Sequence, residues 1–228
     1  MDYAGYVEHQ SRVNEAKFGL TSLTADEVRA VSDYFAKRVP DRLADERFFA
    51  VCQGIRNGAE IRAFARRLGR RVIGTDISIS VLQVPDGFLC DFGDCPALWR
   101  GKVDLLYSNS YDHSPDLDST LAVWKRLLAP RGLLFLQYTP AHGHDTGLSL
   151  EEVAGKLEAA GFSLEAILDI EPRGGIAGLL DRCRNVLRQL VKRLARLVVP
   201  RTSSLYWSLG YNLRHGPLVE TRVLVAKG

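Results

Sequence analysis

The sequence lacks closely spaced cysteines and long hydrophobic runs. Its four cysteines include no C-x-x-C pair and no spacing typical of zinc ligands. A chain of 228 residues can bury a substantial core without disulfides, so a reducing compartment, the cytoplasm, is expected. The longest uncharged stretch, residues 132–144, is interrupted by polar side chains, and no apolar run follows Asp2 and Glu8. Neither a membrane span nor a signal peptide is therefore expected.

Charge of one sign is not in excess either. Lys and Arg total 30 and Asp and Glu total 27, for a net charge of +3 and a charged fraction of 25%. These values are ordinary for a globular protein, and they predict neither disorder nor a nucleic-acid partner. The sequence also has no internal repeat and no low-complexity segment. We expect a single domain over residues 1–228, with an N-terminal helical extension over residues 1–46.

Short apolar runs alternate with helical patterns from residue 47 onward. The runs predict strands at residues 48–53, 71–75, 88–90, 103–107, 133–138, 164–170 and 220–226. Helices are predicted at residues 59–68, 117–128 and 150–160, and another begins at a capping box of Thr24 and Glu27 and ends before Pro40. Strands that are apolar on both faces are typical of parallel sheets covered by helices. The pattern predicts an α/β fold with a doubly wound, mostly parallel, seven-stranded Rossmann-like sheet whose last strand is antiparallel.

The ends of the first four strands carry side chains suited to a nucleoside ligand. Parallel α/β sheets bind ligands beyond the carboxyl ends of their strands. Two glycines let the backbone approach a ligand, one acid can accept hydrogen bonds from ribose hydroxyls, and a second acid with an aromatic ring can hold an adenine. The candidate cofactor-binding residues are Gly54, Arg56, Asn57 and Gly58, then Asp76 and Ile77, then Asp91 and Phe92, then Ser108 and Asn109.

Taken in order, these positions resemble the class I S-adenosylmethionine-dependent methyltransferase family. The positions that carry the resemblance are Gly54, Gly58, Asp76, Asp91 and residues 104–109. Residues 121–134 also resemble the family's turn into strand five, and residues 150–162 resemble its helix before strand six. The resemblance runs from about residue 48 to residue 226, and it implies S-adenosylmethionine as the cofactor and methyl transfer as the activity.

The first loop departs from the family pattern. Ala50 and Cys52 stand where the family usually has an acid and its first glycine, and Arg56 and Asn57 are inserted among the glycines. Such a loop still offers backbone amides, and Arg56 can pair with the donor's carboxylate. The rival cofactor is a nicotinamide dinucleotide, because Asp76 lies at a suitable spacing, but the loop lacks the G-x-G-x-x-G triplet.

Two residues after the fourth strand are the candidate catalytic residues. The resemblance implies that this strand end faces the methyl group, so His113 is the predicted general base, with Asp112 beside it. The alternative is a structural His113 that caps the next helix or bonds Asp112. His142 and His144 could join them around a divalent metal, but a surface connection is the simpler interpretation, and no metal is predicted.

A basic insertion is predicted between strands six and seven, over residues 172–219. Residues 176–198 place apolar side chains on one arc of a helix and basic side chains on the other, and Asp181 is the only acid from residue 176 to residue 201. Three partners fit this pattern: the domain itself or a second subunit in a homodimer, an anionic membrane surface, and an anionic lipid-linked or phosphorylated glycan.

The predicted function is S-adenosylmethionine-dependent methyl transfer to a small-molecule, glycan or lipid-linked acceptor by direct displacement. The alternative is a non-catalytic S-adenosylmethionine-binding or scaffold protein on the same fold, which the unusual first loop favours.

Overall fold

A seven-stranded sheet forms the centre of the protein, and every neighbouring pair is parallel except those that involve the last strand. The computed structural model describes residues 2–21, 23–139, 147–170 and 221–228. The strands are β1 (Ala50–Gln53), β2 (Val72–Asp76), β3 (Gly87–Leu89), β4 (Val103–Ser108), β5 (Leu128–Tyr138), β6 (Ser163–Ile170) and β7 (Thr221–Lys227). Their order is β3-β2-β1-β4-β5-β7-β6, with β7 antiparallel between β5 and β6. The predicted fold class is confirmed.

Burial of the strands follows their position in the sheet. All residues of β1, β2 and β4 are buried, which agrees with the mostly apolar sequences of these strands. The edge strands β3 and β6 are partly exposed, so the expectation of two apolar faces is wrong for them. The strand order reverses between β1 and β4, and the carboxyl ends of these strands open the crevice where ligands bind in such sheets.

Helices cover both faces of the sheet. Within the described residues, the α-helices are α1 (Tyr3–Ala16), α2 (Ala25–Arg38), α3 (Pro40–Ala44), α4 (Ala59–Leu68), α5 (Leu117–Leu127) and α6 (Leu150–Ala159). On one face Phe35 of α2 and Phe64 of α4 pack with Tyr107, and on the other Trp124 of α5 packs with Leu134. Two apolar layers of this kind bury the sheet between them.

The helix ends agree with their sequence signals. Thr24 accepts a hydrogen bond from the amide of Glu27 at 3.1 Å, and α2 ends at Arg38, before Pro40, as predicted. Ser149 forms a capping box at the start of α6, and Gly161, at φ 82°, follows its end. The helix α1 was not specified by the pattern, and none of its residues is buried.

Two predicted features lie outside the described residues: the basic insertion over residues 172–219 and the pair His142 and His144. Within the described ranges, no helix is long and apolar enough to cross a membrane.

Candidate functional site

A cleft lies at the carboxyl ends of β1 to β4. Its walls come from the loops that follow these strands and from one face of α1. The lining residues are Tyr6, Gln10, Asn14, Gly54, Arg56, Asp76, Ile77, Cys90, Asp91, Phe92, Ser110 and His113. Seven of them are candidate site residues predicted from sequence, so the strand ends converge as expected.

Gly54 sets the floor of the cleft. Its φ is +78°, which favours glycine, and its amide donates to the carbonyl of Thr75 at 2.8 Å. A Cβ atom at this position would lie 2.7 Å from Cβ of Ser110 and 3.3 Å from the ring of Phe92. The loops after β1, β3 and β4 therefore meet at a point where no side chain fits.

Asp76, at the end of β2, is buried and held by three hydrogen bonds. Its Oδ1 accepts from the amide of Ser78 at 2.9 Å and from Nδ2 of Asn14 at 2.8 Å, and its Oδ2 accepts from the amide of Arg56 at 2.8 Å. A carboxylate has about four acceptor sites, so about one stays open on Oδ2. The acid is fixed in place by two loops and by α1.

Asp91 and Phe92 form the wall after β3. Asp91 accepts hydrogen bonds from the amide of Phe92 at 2.7 Å and from the hydroxyl of Tyr3 at 2.8 Å. The ring of Phe92 meets the ring of Trp124 edge-on, with 5.6 Å between centroids, and the Trp124 indole donates to the Phe92 carbonyl at 3.2 Å. These contacts anchor an aromatic ring and a carboxylate side by side.

The helix α1 forms one side of the cleft, which sequence reasoning missed. Tyr3 and Asn14 bond the two acids, and the hydroxyl of Tyr6 donates to the carbonyl of His113 at 3.1 Å. Tyr6, Gln10 and Asn14 are spaced four residues apart and therefore share one helix face. That spacing of aromatic and amide side chains was the signal in the sequence.

Several candidate residues support the cleft from behind instead of lining it. Asn57 donates to the carbonyls of Phe18 and Leu20 and accepts from the amide of Ala59, so it ties the α1–α2 connection to the start of α4. Gly58, at φ +72°, packs closely on Val84. These residues shape the first loop.

The loop after β4 shows the same division. The hydroxyl of Ser108 donates to the carbonyl of Gln53 at 3.2 Å, and Asn109 donates to Glu60 at 3.0 Å. Asp112 is buried and does not line the cleft, whereas its neighbour His113 does. The two catalytic candidates thus lie at different depths.

Arg56 lines the cleft, and its side chain contacts the α1–α2 connection. Its Nη1 donates to the carbonyl of Leu20 at 3.4 Å, and its buried Nε has no hydrogen-bond partner. The backbone of this residue, at φ 44°, supplies the contact to Asp76. The contribution of Arg56 to the described site is therefore the hydrogen bond from its amide to Asp76.

A buried acid lies beneath the sheet ends. Glu27 accepts from the hydroxyl of Tyr107 at 2.6 Å and from Nε2 of Gln137 at 3.0 Å. Burial raises the pKa of Glu27 to about 8, against the lowering effect of the hydrogen bonds from Tyr107 and Thr24. Sequence reasoning gave Glu27 a capping role only.

The described residues offer no cluster of three or more His, Cys, Asp or Glu side chains for a metal ion. The cleft instead presents two carboxylates, an aromatic ring and a histidine to a ligand. This set is suited to a nucleoside with free hydroxyl and amino groups.

Comparisons with known proteins find the fold in solved structures only, since neither a family model nor a curated protein matches the sequence. A candidate sarcosine dimethylglycine methyltransferase from Galdieria sulphuraria superposes with a TM-score of 0.60 at 15% identity, over 86% of this chain and 84% of that chain. The [4+2]-cyclase SpnF superposes with a TM-score of 0.59 at 17% identity, over 88% of this chain and 80% of that chain.

The third structure is geranyl diphosphate C-methyltransferase from Streptomyces coelicolor A3(2), solved with Mg²⁺, geranyl diphosphate and S-adenosyl-L-homocysteine. It covers 100% of this chain and 99% of that chain, with a TM-score of 0.55 and 16% identity. Identities this low show the fold alone. The fold implied by the resemblance to class I methyltransferases is thereby confirmed: the chain has the same fold as these solved methyltransferases.

Proposed function

We propose that this protein is an S-adenosylmethionine-dependent methyltransferase that binds its donor in the cleft at the ends of β1 to β4. The observation that carries the proposal is the convergence of Gly54, Asp76 and Asp91, each after a different strand, on one cleft at the topological switch point. Solved neighbours with this fold include methyltransferases, two of which were solved with S-adenosylhomocysteine.

The donor's nucleoside is assigned to the two acids. Asp76 accepts from the ribose hydroxyls, using the open site on Oδ2 and the site that Asn14 now fills on Oδ1. Asp91 accepts from the adenine amino group, and Phe92 contacts the adenine ring. The methionine end then lies toward Gly54 and the amides of the first loop.

Methyl transfer needs alignment more than covalent chemistry from the protein. The donor supplies a methyl group bound to a positively charged sulfonium sulfur. When the acceptor attacks the methyl carbon, the carbon–sulfur bond breaks and the sulfur leaves as a neutral thioether. His113, on the cleft wall after β4, takes the proton that an oxygen or nitrogen acceptor releases, and its buried neighbour Asp112 stays the second predicted catalytic residue.

The acceptor is proposed to be a small molecule, and more specifically a glycan or a lipid-linked compound. The basic pattern over residues 176–198 supports an anionic acceptor, or peripheral contact with an anionic membrane, or a homodimer contact, and each stays a prediction. A cytoplasmic location likewise stays a prediction. Flotation with vesicles of anionic phospholipid at low and high salt tests the membrane contact, since salt should weaken it.

A second function has specific support: a binding or scaffold protein, or an enzyme of another class, on the same fold. Ala50 and Cys52 depart from the usual first strand, and a [4+2]-cyclase is among the structural neighbours. The fold by itself does not decide between these functions.

Calorimetry with S-adenosylhomocysteine tests donor binding first, with NAD⁺ titrated in parallel against the rival cofactor. Saturable binding of S-adenosylhomocysteine alone supports the proposal, and no binding, or binding of NAD⁺ instead, overturns it. Transfer of a labelled methyl group to a compound in a cell extract then separates the enzyme from a binding protein.

A further inference from the structure

Two cysteines flank the loop that carries Asp91 and Phe92. Cys90 follows β3 and lines the cleft, and Cys95 comes five residues later. Both thiols face the same acceptor, the carbonyl of Asp91, at 3.3 Å from Cys90 Sγ and 4.0 Å from Cys95 Sγ. The turn between them thus brings together two sulfur atoms that their sequence spacing did not mark as a pair.

Both thiols are partly accessible, and neither forms a disulfide in the structure. Cys52, by contrast, is fully buried in β1, and burial raises the pKa of its thiol well above the ordinary value. Cys183 lies outside the described residues. Among the described cysteines, therefore, a reagent in solution can reach this pair and not Cys52.

The surroundings of the two thiols differ. Cys90 Sγ donates to the carbonyls of Asp91 and Asp94, at 3.3 and 3.1 Å. Cys95 Sγ donates to the carbonyl of Phe92 at a longer distance, 3.6 Å, and it also accepts a hydrogen bond from Nε2 of Gln53 at 3.3 Å. The pKa of Cys95 is lowered by its interaction with Cys90 and by the hydrogen bond from Gln53, whereas the pKa of Cys90 is raised by its interaction with Cys95 and by burial. Cys95 is therefore the better nucleophile of the two.

We propose that Cys90 and Cys95 form an oxidisable dithiol site, which a low-molecular-weight disulfide such as glutathione disulfide converts into an intramolecular disulfide bond. The Cys95 thiolate attacks one glutathione sulfur and releases the other glutathione as a thiolate. Cys90 then loses its proton and attacks Cys95 Sγ, which forms the bond between the two cysteines and releases the second glutathione. Two cysteine thiols are oxidised and one glutathione disulfide is reduced to two glutathione thiols.

Oxidation changes the wall of the cleft. A disulfide sulfur has no proton, so the two hydrogen bonds from Cys90 to the carbonyls of Asp91 and Asp94 are lost. The loop that holds the Asp91 carboxylate and the Phe92 ring then loses this part of its anchoring, while the contacts of Tyr3 and Trp124 remain. This consequence rests on the proposed function, because it concerns the adenine end of the donor, but the thiol chemistry does not.

One tryptic peptide reports the reaction directly. Residues 72–100 contain both cysteines and have Arg at position 71 and at position 100 with no Lys or Arg between. In the full-length Cys183→Ser protein, treatment with glutathione disulfide should make this peptide lighter by two hydrogen atoms and protect it from alkylation. Cleavage before Asp91 and Asp94 should then leave the piece that contains Cys90 joined to the piece that contains Cys95 until a reductant is added.

Cys90→Ser and Cys95→Ser are the matched controls, and each should stop at a single glutathione adduct or stay unmodified. The proposal is overturned if the wild-type pair carries two separate adducts, or stays reduced under conditions that modify small thiols. Affinity for S-adenosylhomocysteine, measured on both forms, should fall about tenfold on oxidation and recover on reduction. If the reduced protein binds no S-adenosylhomocysteine, the proposed function fails while the peptide mass still decides the disulfide.

Discussion

Asp76→Asn tests the donor site at its most constrained residue. Three groups donate to this carboxylate: the amides of Arg56 and Ser78 and the carboxamide of Asn14. Asparagine offers one acceptor oxygen and one NH₂ group, so its NH₂ must face at least one of these donors. The substitution keeps the shape of the side chain and removes both its charge and half of its acceptors.

The size of the effect follows from these contacts. A hydrogen bond to a charged group contributes about 1.5–3 kcal/mol, so losing one such bond to a ribose hydroxyl weakens donor binding by roughly 10- to 150-fold. The mispaired amide also leaves a buried donor unsatisfied, which lowers the free energy of unfolding by about 1–3 kcal/mol. Donor affinity and the free energy of unfolding should therefore both fall, by similar free energies.

Calorimetry with S-adenosylhomocysteine measures the first effect, and urea unfolding followed by circular dichroism measures the second. Asp118→Asn is a matched control, because Asp118 is exposed and pairs with Lys156 away from the cleft. It should leave donor affinity unchanged. A folded Asp76→Asn protein that binds S-adenosylhomocysteine as tightly as the wild type would refute the assignment of the ribose to Asp76.

Three further substitutions test other parts of the site. Burial raises the pKa of Glu27 from 4.5 to about 8, so its contribution to the free energy of unfolding is complete at low pH and is lost between these two pH values, by about 1.4 kcal/mol per pH unit. Glu27→Gln should flatten this dependence of the free energy of unfolding on pH, measured by urea unfolding. An unchanged dependence would contradict a neutral Glu27. His113→Ala should slow turnover by roughly 10²- to 10⁴-fold with donor affinity nearly intact, and equal turnover would make His113 structural. Gly54→Ala should lower the free energy of unfolding by about 1–3 kcal/mol more than Gly69→Ala in the same assay, because both have positive φ but only Gly54 meets Ser110; equal losses would mean that the loop yields.

The sheet and most of its covering helices could be predicted because their sequences carry strong periodic signals. The range predicted for α4, residues 59–68, agrees with Ala59–Leu68, and the fourth strand differs from its prediction by one residue. The strand β5 begins at Leu128, five residues before its prediction, because the segment containing Pro130 and Gly132 has the composition of a turn. In the structure this segment is nevertheless extended, because Leu128 pairs with Val103 of β4, and the local composition does not reveal that partner.

The two acids of the candidate site were predicted from the sequence, but the residues of α1 that donate hydrogen bonds to them were not. Asp76 and Asp91 could be found because the residue after a parallel strand lies at a fixed edge of the sheet. Whether a loop side chain such as that of Asn57 or Asn109 faces a ligand or supports its neighbours depends on backbone angles that composition does not determine. The pairing of Cys90 with Cys95 depends on a turn of the same kind.

The attachment of α1 has a consequence for how the N-terminus responds to ligands. None of the residues of α1 is buried, and hydrogen bonds from Tyr3, Tyr6 and Asn14 tie it to the loops of the cleft. A ligand that takes an acceptor site on Asp76 from Asn14 therefore competes with the helix for the same carboxylate. Occupancy of the cleft and docking of the first sixteen residues are then linked equilibria, so protease sensitivity at the N-terminus becomes a reporter of what the cleft holds.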